Sequence, residues 1–134
     1  MSGPAPWWAQ YPVISERRNG ERFIGHRGPF AEDLYASGTP PAHGLSRPFG
    51  ISPRVAGVRI GHRLRVKRHE SAWVVLDAEG VLGRLRWRPT DDGVVDARTG
   101  VAIRLPESGV LHVEQVVISA AGEVVDIAGT VYPD

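Results

Sequence analysis

Polar and apolar residues alternate strictly in two short stretches of this 134-residue chain. Each stretch carries a basic residue at every second position, with an aliphatic residue or a tryptophan between. A β-strand sends successive side chains to opposite faces, so the pattern predicts strands with one basic and one apolar side. The basic residues are Arg63, Arg65 and Lys67 in the first stretch and Arg84, Arg86 and Arg88 in the second.

The two stretches fit a three-stranded meander whose strands are expected over 58–68, 72–77 and 81–88. Both basic trios are expected on the outer side, with Trp73 and Val75 of the middle strand between them. An aromatic ring flanked by cations is typical of surfaces that stack bases beside phosphates. The core side is expected to hold Leu64, Val66, Val74, Leu76, Leu85 and Trp87.

Strand signals also dominate the rest of the chain. Asn19-Gly20 suits the tight turn of a first hairpin over about 13–24, and a closing hairpin is expected to turn at Ala121-Gly122. The continuous apolar run of that hairpin indicates burial on both faces over part of its length. Further strands are expected over 101–105, 110–119 and 123–132. The fold class predicted is all-β, a small antiparallel barrel or sandwich of about seven strands.

We expect a single domain in three parts. Residues 1–12 form an extended N-terminal arm rich in proline and aromatic residues. Residues 13–53 hold the first hairpin, at most one short helix near 29–38 and an irregular proline-rich connection over 39–53. The barrel or sandwich core follows over 54–134.

The arm contains adjacent tryptophans, Trp7 and Trp8, followed by Tyr11. Such rings expose a large apolar area unless they dock on a surface. The sequence alone allows two docking sites for the arm. The arm either seals its own domain or binds a neighbouring chain, where a tryptophan pair makes a strong anchor.

The net charge of +1 hides a segregation along the chain. Residues 54–88 carry nine basic and three acidic residues, a net +6, whereas residues 89–134 carry two basic and eight acidic residues, a net −6. Such a dipolar surface suits attraction of a polyanion or head-to-tail contact between copies. Neutralisation of one half by the other within the fold is the third interpretation.

Signatures of catalysis are sparse. The chain has no cysteine, which excludes disulfides, thiolate metal sites and a cysteine nucleophile. The five histidines lack metal-binding spacing, and the usual serine-hydrolase and nucleotide-binding motifs are missing. We therefore predict no catalytic residue, no metal and no cofactor.

The favoured functional hypothesis is a non-enzymatic assembly protein, such as a component of a viral or phage particle, a shell or a tube. Its arm residues Trp7, Trp8 and Tyr11 would dock on neighbouring subunits. A nucleic-acid-binding module is the alternative, and a small-barrel enzyme with an interior pocket is the second alternative. The nucleic-acid-binding module would use the two basic trios and Trp73, namely Arg63, Arg65, Lys67, Trp73, Arg84, Arg86 and Arg88.

The N-terminal sequence lacks the basic and apolar regions of a secretory signal, and no apolar run reaches the length of a membrane span. From this pattern we expect a soluble cytoplasmic protein, or one incorporated into a particle, without a membrane partner. The partners expected are copies of the same chain, other subunits of an assembly, or nucleic acid.

Overall fold

The computed structural model describes residues 4–26, 43–44, 55–95, 100 and 102–134. These ranges contain one short 3-10 turn, Trp7–Gln10, and no α-helix. The strands are β1 (Val13–Glu16), β2 (Arg22–Gly25), β3 (His43–Gly44), β4 (Arg63–His69), β5 (Ala72–Asp77), β6 (Gly80–Arg84), β7 (Arg88–Pro89), β8 (Gly93–Val95), β9 (Ala102–Arg104), β10 (Ser108–Ile118) and β11 (Val124–Pro133).

The longest strand, β10, organises the larger sheet. One of its edges pairs with β11 along almost its whole length, and the other pairs first with β4 and then with β2. Strands β1, β3, β5 and β6 complete an eight-stranded antiparallel sheet, while β7, β8 and β9 form a second sheet of three strands. The predicted all-β class is confirmed, in sandwich-like form rather than as a closed barrel.

Both predicted hairpins form at their predicted turns. Gly20 takes a φ of 86°, and the amide of Arg17 donates to the carbonyl of Glu21 at 2.8 Å to close the first hairpin. Gly122 takes a φ of 87° in the turn between β10 and β11. Positive φ is readily available to glycine, which explains why these dipeptides mark the turns.

The closing hairpin supplies much of the core. Residues 115–118 are buried without a break, which confirms the prediction of burial on both faces. Aliphatic side chains of β4, β10 and β11 meet at the centre with at most 1% of their surface exposed. They include Val66, Leu111, Val116, Ile127 and Val131.

The meander of β4, β5 and β6 is confirmed, but the predicted orientation of its middle strand is wrong. The last pair of the β4–β5 ladder is His69 with Ala72, so only Glu70 and Ser71 form the turn between the strands. Glu70 takes the positive φ of a tight turn. Arg68 therefore pairs with Trp73, and Trp73 and Val75 face the core. A shift of one residue moves every side chain of a strand to the other face. Val74 and Leu76 consequently lie on the side of the basic residues, opposite to the prediction, although Val74 is buried there with 7% of its surface exposed and Leu76 is half-buried.

The expected short helix near 29–38 lies outside the described residues. Of the expected irregular connection over 39–53, the structure describes only β3, which pairs with Thr130 and Val131 of β11.

Candidate anion-binding face

Four basic side chains on the outer side of β4 and β6 form what we call the basic face. Strand β4 alternates exposed basic and buried apolar residues, so Arg63, Arg65 and Lys67 share the side away from the core. Lys67 pairs with Val74, which in turn pairs with Arg84 of β6. Because adjacent strands lie about 4.8 Å apart, the Cα atoms of Lys67 and Arg84 are separated by about 10 Å.

The second basic trio does not project from one strand as predicted. Strand β6 ends at Arg84, and Arg88 belongs to β7 in the smaller sheet. Exposure nevertheless alternates through this segment: Arg84, Arg86 and Arg88 are exposed, Leu85 is buried, and Trp87 packs partly against the core. Arg86 and Arg88 therefore extend the exposed basic surface beyond the end of β6.

Arg65 is the member of the basic face with an acidic partner among the residues that the structure describes. Its Nη1 and Nη2 atoms donate to the two carboxylate oxygens of Asp134 at 2.9 and 3.1 Å. Ser108 lies between the two groups, accepting from Nη2 of Arg65 at 3.1 Å and donating to Oδ2 of Asp134. The Ser108 hydrogen bond and the Arg65 guanidinium lower the pKa of Asp134.

The other exposed cations are unpaired within the described part of the chain. Arg63, Lys67, Arg84, Arg86 and Arg88 make no ion pair there, whereas Arg17 is paired with Glu21 and Arg104 with Asp92. These five cations thus form an exposed positive surface along the outer side of the meander and beyond the end of β6.

Trp73 does not belong to this surface, which corrects the sequence-based prediction. Its side chain is 1% exposed, and its Nε1–H donates to the carbonyl of Pro106 at 2.9 Å. The guanidinium of Arg68 lies 5.0 Å from the ring centroid and covers it at the end of the sheet. A ring enclosed in this way has no free face on which a base could stack.

The N-terminal arm lies on its own domain. Trp7, Trp8 and Tyr11 are half-buried and pack against the core. Cations lie over both tryptophan rings, with Arg22 at 4.9 Å from the centroid of Trp8 and Arg59 at 5.7 Å from that of Trp7. The arm's anchors thus have partners within the chain, and docking on neighbouring subunits stays a prediction.

A polar cluster that the sequence pattern did not single out lies across β10 and β11, and its member Thr130 is buried. Thr130 donates to Oε2 of Glu114 at 3.4 Å, and the rings of His112 and Tyr132 are 4.6 Å apart. Burial raises the pKa of Glu114, although Thr130 and His26 oppose the change. Burial lowers the pKa of His112, and the positive charge of Arg63 lowers it further. The sequence signal for this cluster was the spacing of His112 and Glu114, which are two residues apart on β10 and therefore share one side of the strand.

A pocket of about 600 Å³ lies at one end of the basic face. Its lining includes His62 and Arg63 together with the acidic residues Asp77 and Glu79. Oδ1 of Asp77 already accepts hydrogen bonds from the amides of Glu79 and Gly80, which fixes the turn between β5 and β6. The pocket therefore combines opposite charges, and an enzymatic role for it stays a prediction.

Within the described ranges, no three histidine or acidic side chains are placed to hold a metal ion. The same residues include no helix that is long and apolar enough to cross a membrane. No family model, curated protein or solved structure matches the chain.

Proposed function

We propose that the protein is a binding module that holds nucleic acid by its phosphate backbone. The basic face provides the contacts, and Arg86 and Arg88 provide further contacts beside it. The supporting observation is the exposure of these cations, of which Arg65 alone has an acidic partner among the described residues.

Phosphate binding accounts for the kind of side chain on this surface. The guanidinium group donates in a planar fork that fits phosphate oxygens, whereas an ammonium acts as a point charge. Binding of cations to a nucleic acid releases condensed counterions, which supplies free energy without base recognition. An exposed basic surface on a β-sheet is therefore suited to contacts that do not depend on nucleotide sequence.

The burial of Trp73 defines the expected mode of binding. Without that ring, the basic face lacks the stacking platform that the sequence analysis expected. Phosphate contacts position a protein on nucleic acid, whereas base contacts specify sequence. We therefore expect weak sequence preference and a strong dependence on salt.

Fluorescence anisotropy with labelled single-stranded and duplex oligonucleotides tests this function. With three to five phosphate contacts, log K is expected to fall against log salt with a slope of about −2 to −4.5. A variant with Lys67→Ser and Arg84→Ser should bind roughly 10- to 30-fold more weakly near physiological salt and show a shallower slope.

The matched control carries Arg18→Ser and Arg104→Ser, which removes two exposed cations outside the basic face. Its affinity should stay close to that of the wild type, and circular dichroism should show that both double variants are folded. An equal loss in both variants would indicate a net-charge effect and overturn the assignment to this face. Salt-independent affinity would overturn phosphate binding itself.

A further inference from the structure

We propose that Asp134 competes with phosphate for Arg65 and so limits the affinity of the basic face for nucleic acid. This inference deepens the proposed function and rests on it. It concerns regulation of the same surface by an acidic group of the same chain.

The geometry of the ion pair explains the competition. Arg65 lies between Arg63 and Lys67 on the exposed side of β4, at the centre of that row of cations. Its two terminal nitrogens are both engaged by the Asp134 carboxylate, at 2.9 and 3.1 Å. A phosphate recognises arginine through the same pair of parallel N–H donors. Phosphate and Asp134 therefore cannot both make this contact.

Ser108 holds the carboxylate in position. Its hydroxyl accepts from Arg65 and donates to Asp134, which fills the space between the two charged groups. Ser108 also pairs with Lys67 in the ladder between β10 and β4. The negative charge of Asp134 is thus held beside the row of cations, where it also repels an approaching polyanion.

The contact is suited to competition because it is accessible. The side chains of Arg65 and Asp134 are 56% and 46% exposed. Ion pairs this exposed contribute little to stability, since water and salt screen them. A phosphate can therefore displace the carboxylate, but breaking the Arg65–Asp134 pair lowers the affinity for nucleic acid. Removal of the Asp134 charge should restore that affinity.

The test measures oligonucleotide affinity of the Asp134→Asn variant by anisotropy over a range of salt concentrations. We expect binding about two- to five-fold tighter than wild type, the range that a weak exposed ion pair allows. The slope of log K against log salt should become steeper by up to about 0.7 to 0.9, because Asp134 no longer offsets the positive charge that Arg65 brings to its phosphate.

The matched control is Asp92→Asn. It removes the same charge from another exposed pair, Asp92 with Arg104, whose atoms lie 3.4 Å apart beside the smaller sheet. Arg65→Gln should weaken binding more in the Asp134→Asn background than in the wild type. Ser108→Ala, which leaves all charges in place, should give a smaller gain than Asp134→Asn.

Equal gains in oligonucleotide affinity in Asp134→Asn and Asp92→Asn, or no gain in Asp134→Asn, would overturn the inference. Salt-dependent binding by the wild type would in that case still support the proposed function. Absence of salt-dependent binding by the wild type would instead overturn the proposed function and this inference with it.

Discussion

Trp73 closes one end of the core through contacts on both its edge and its face. Its indole N–H donates to the carbonyl of Pro106, and the guanidinium of Arg68 lies over the ring. Arg68 is itself held by the carbonyls of Glu70 and Asp91, at 3.2 and 3.0 Å. A polar handle satisfied within the fold is the usual state of a buried tryptophan, so this ring serves stability.

Trp73→Phe should lower the free energy of unfolding by about 2–4 kcal/mol. The substitution leaves a void and removes the donor to Pro106. Urea denaturation followed by circular dichroism measures the change. Trp87→Phe is the control, because Trp87 is only partly buried, and its loss should be clearly smaller. Equal losses would contradict the assignment of Trp73 to the core.

Glu114 should give the protein a pH-dependent loss of stability. Burial raises its pKa above the ordinary 4.5, so the folded state binds a proton more tightly than the unfolded state. Its contribution to stability is therefore present below pH 4.5 and is lost as the pH rises through the raised pKa. Glu114→Gln should remove this loss, so the variant gains stability relative to wild type as the pH rises. Urea denaturation at a series of pH values measures the difference, and a constant difference would contradict it.

At the scale of elements, the orientation of β5 depends on the turn that connects it to β4. The pairing of β10 with β11 depends on the close approach of their backbones at Gly129. The two-residue turn at Glu70 and Ser71 sets the pairing of Arg68 with Trp73. Along the other junction, a Cβ atom on Gly129 would overlap the carbonyl oxygen of His112. Both features are matters of pairing between strands rather than of the preference of one residue.

Gly129→Ala should lower the free energy of unfolding by about 3 kcal/mol, because the backbones of β10 and β11 would have to separate. Gly57→Ala is the control, since a Cβ there would meet no atom within 4 Å. That variant should unfold within about 0.5 kcal/mol of the wild type. Thermal and urea unfolding measure both changes, and similar stability of the two variants would contradict the packing argument.

At the scale of the whole molecule, the arm and one basic–acidic pair both make contacts within the chain. The arm places Trp7 and Trp8 against the core beneath Arg59 and Arg22. The pair of Arg65 with Asp134 joins the basic and acidic parts of the sequence. One pair of opposite charges from the two parts is therefore neutralised within the chain, which is a part of what the third interpretation of the charge pattern anticipated.

Replacement of both Trp7 and Trp8 by alanine tests the role of the arm. We expect the free energy of unfolding to fall by roughly 2–3 kcal/mol, because half-buried rings and their cation contacts are lost. Urea denaturation measures this change, and light scattering measures the molar mass, which we expect to be unchanged. Unchanged stability with dissociation of a larger species would instead support the prediction that the arm docks on neighbouring subunits.

The sequence by itself determined the features that depend on neighbours along the chain. The alternation at Arg63 to Lys67 specifies a strand with one charged side, and Asn19-Gly20 and Ala121-Gly122 specify turns, because side-chain direction and φ are local properties. The all-β class and most strand positions follow from these signals.

Only the tertiary structure decided which strands meet and in which register. The placement of Trp73 depended on a difference of one residue in a turn, which composition and periodicity do not encode. The pairs of Arg65 with Asp134 and of Glu114 with Thr130 join residues that are 69 and 16 positions apart. Such contacts arise when strands pair across the sheet, so burial, pKa and the competition at Arg65 are properties of the folded molecule.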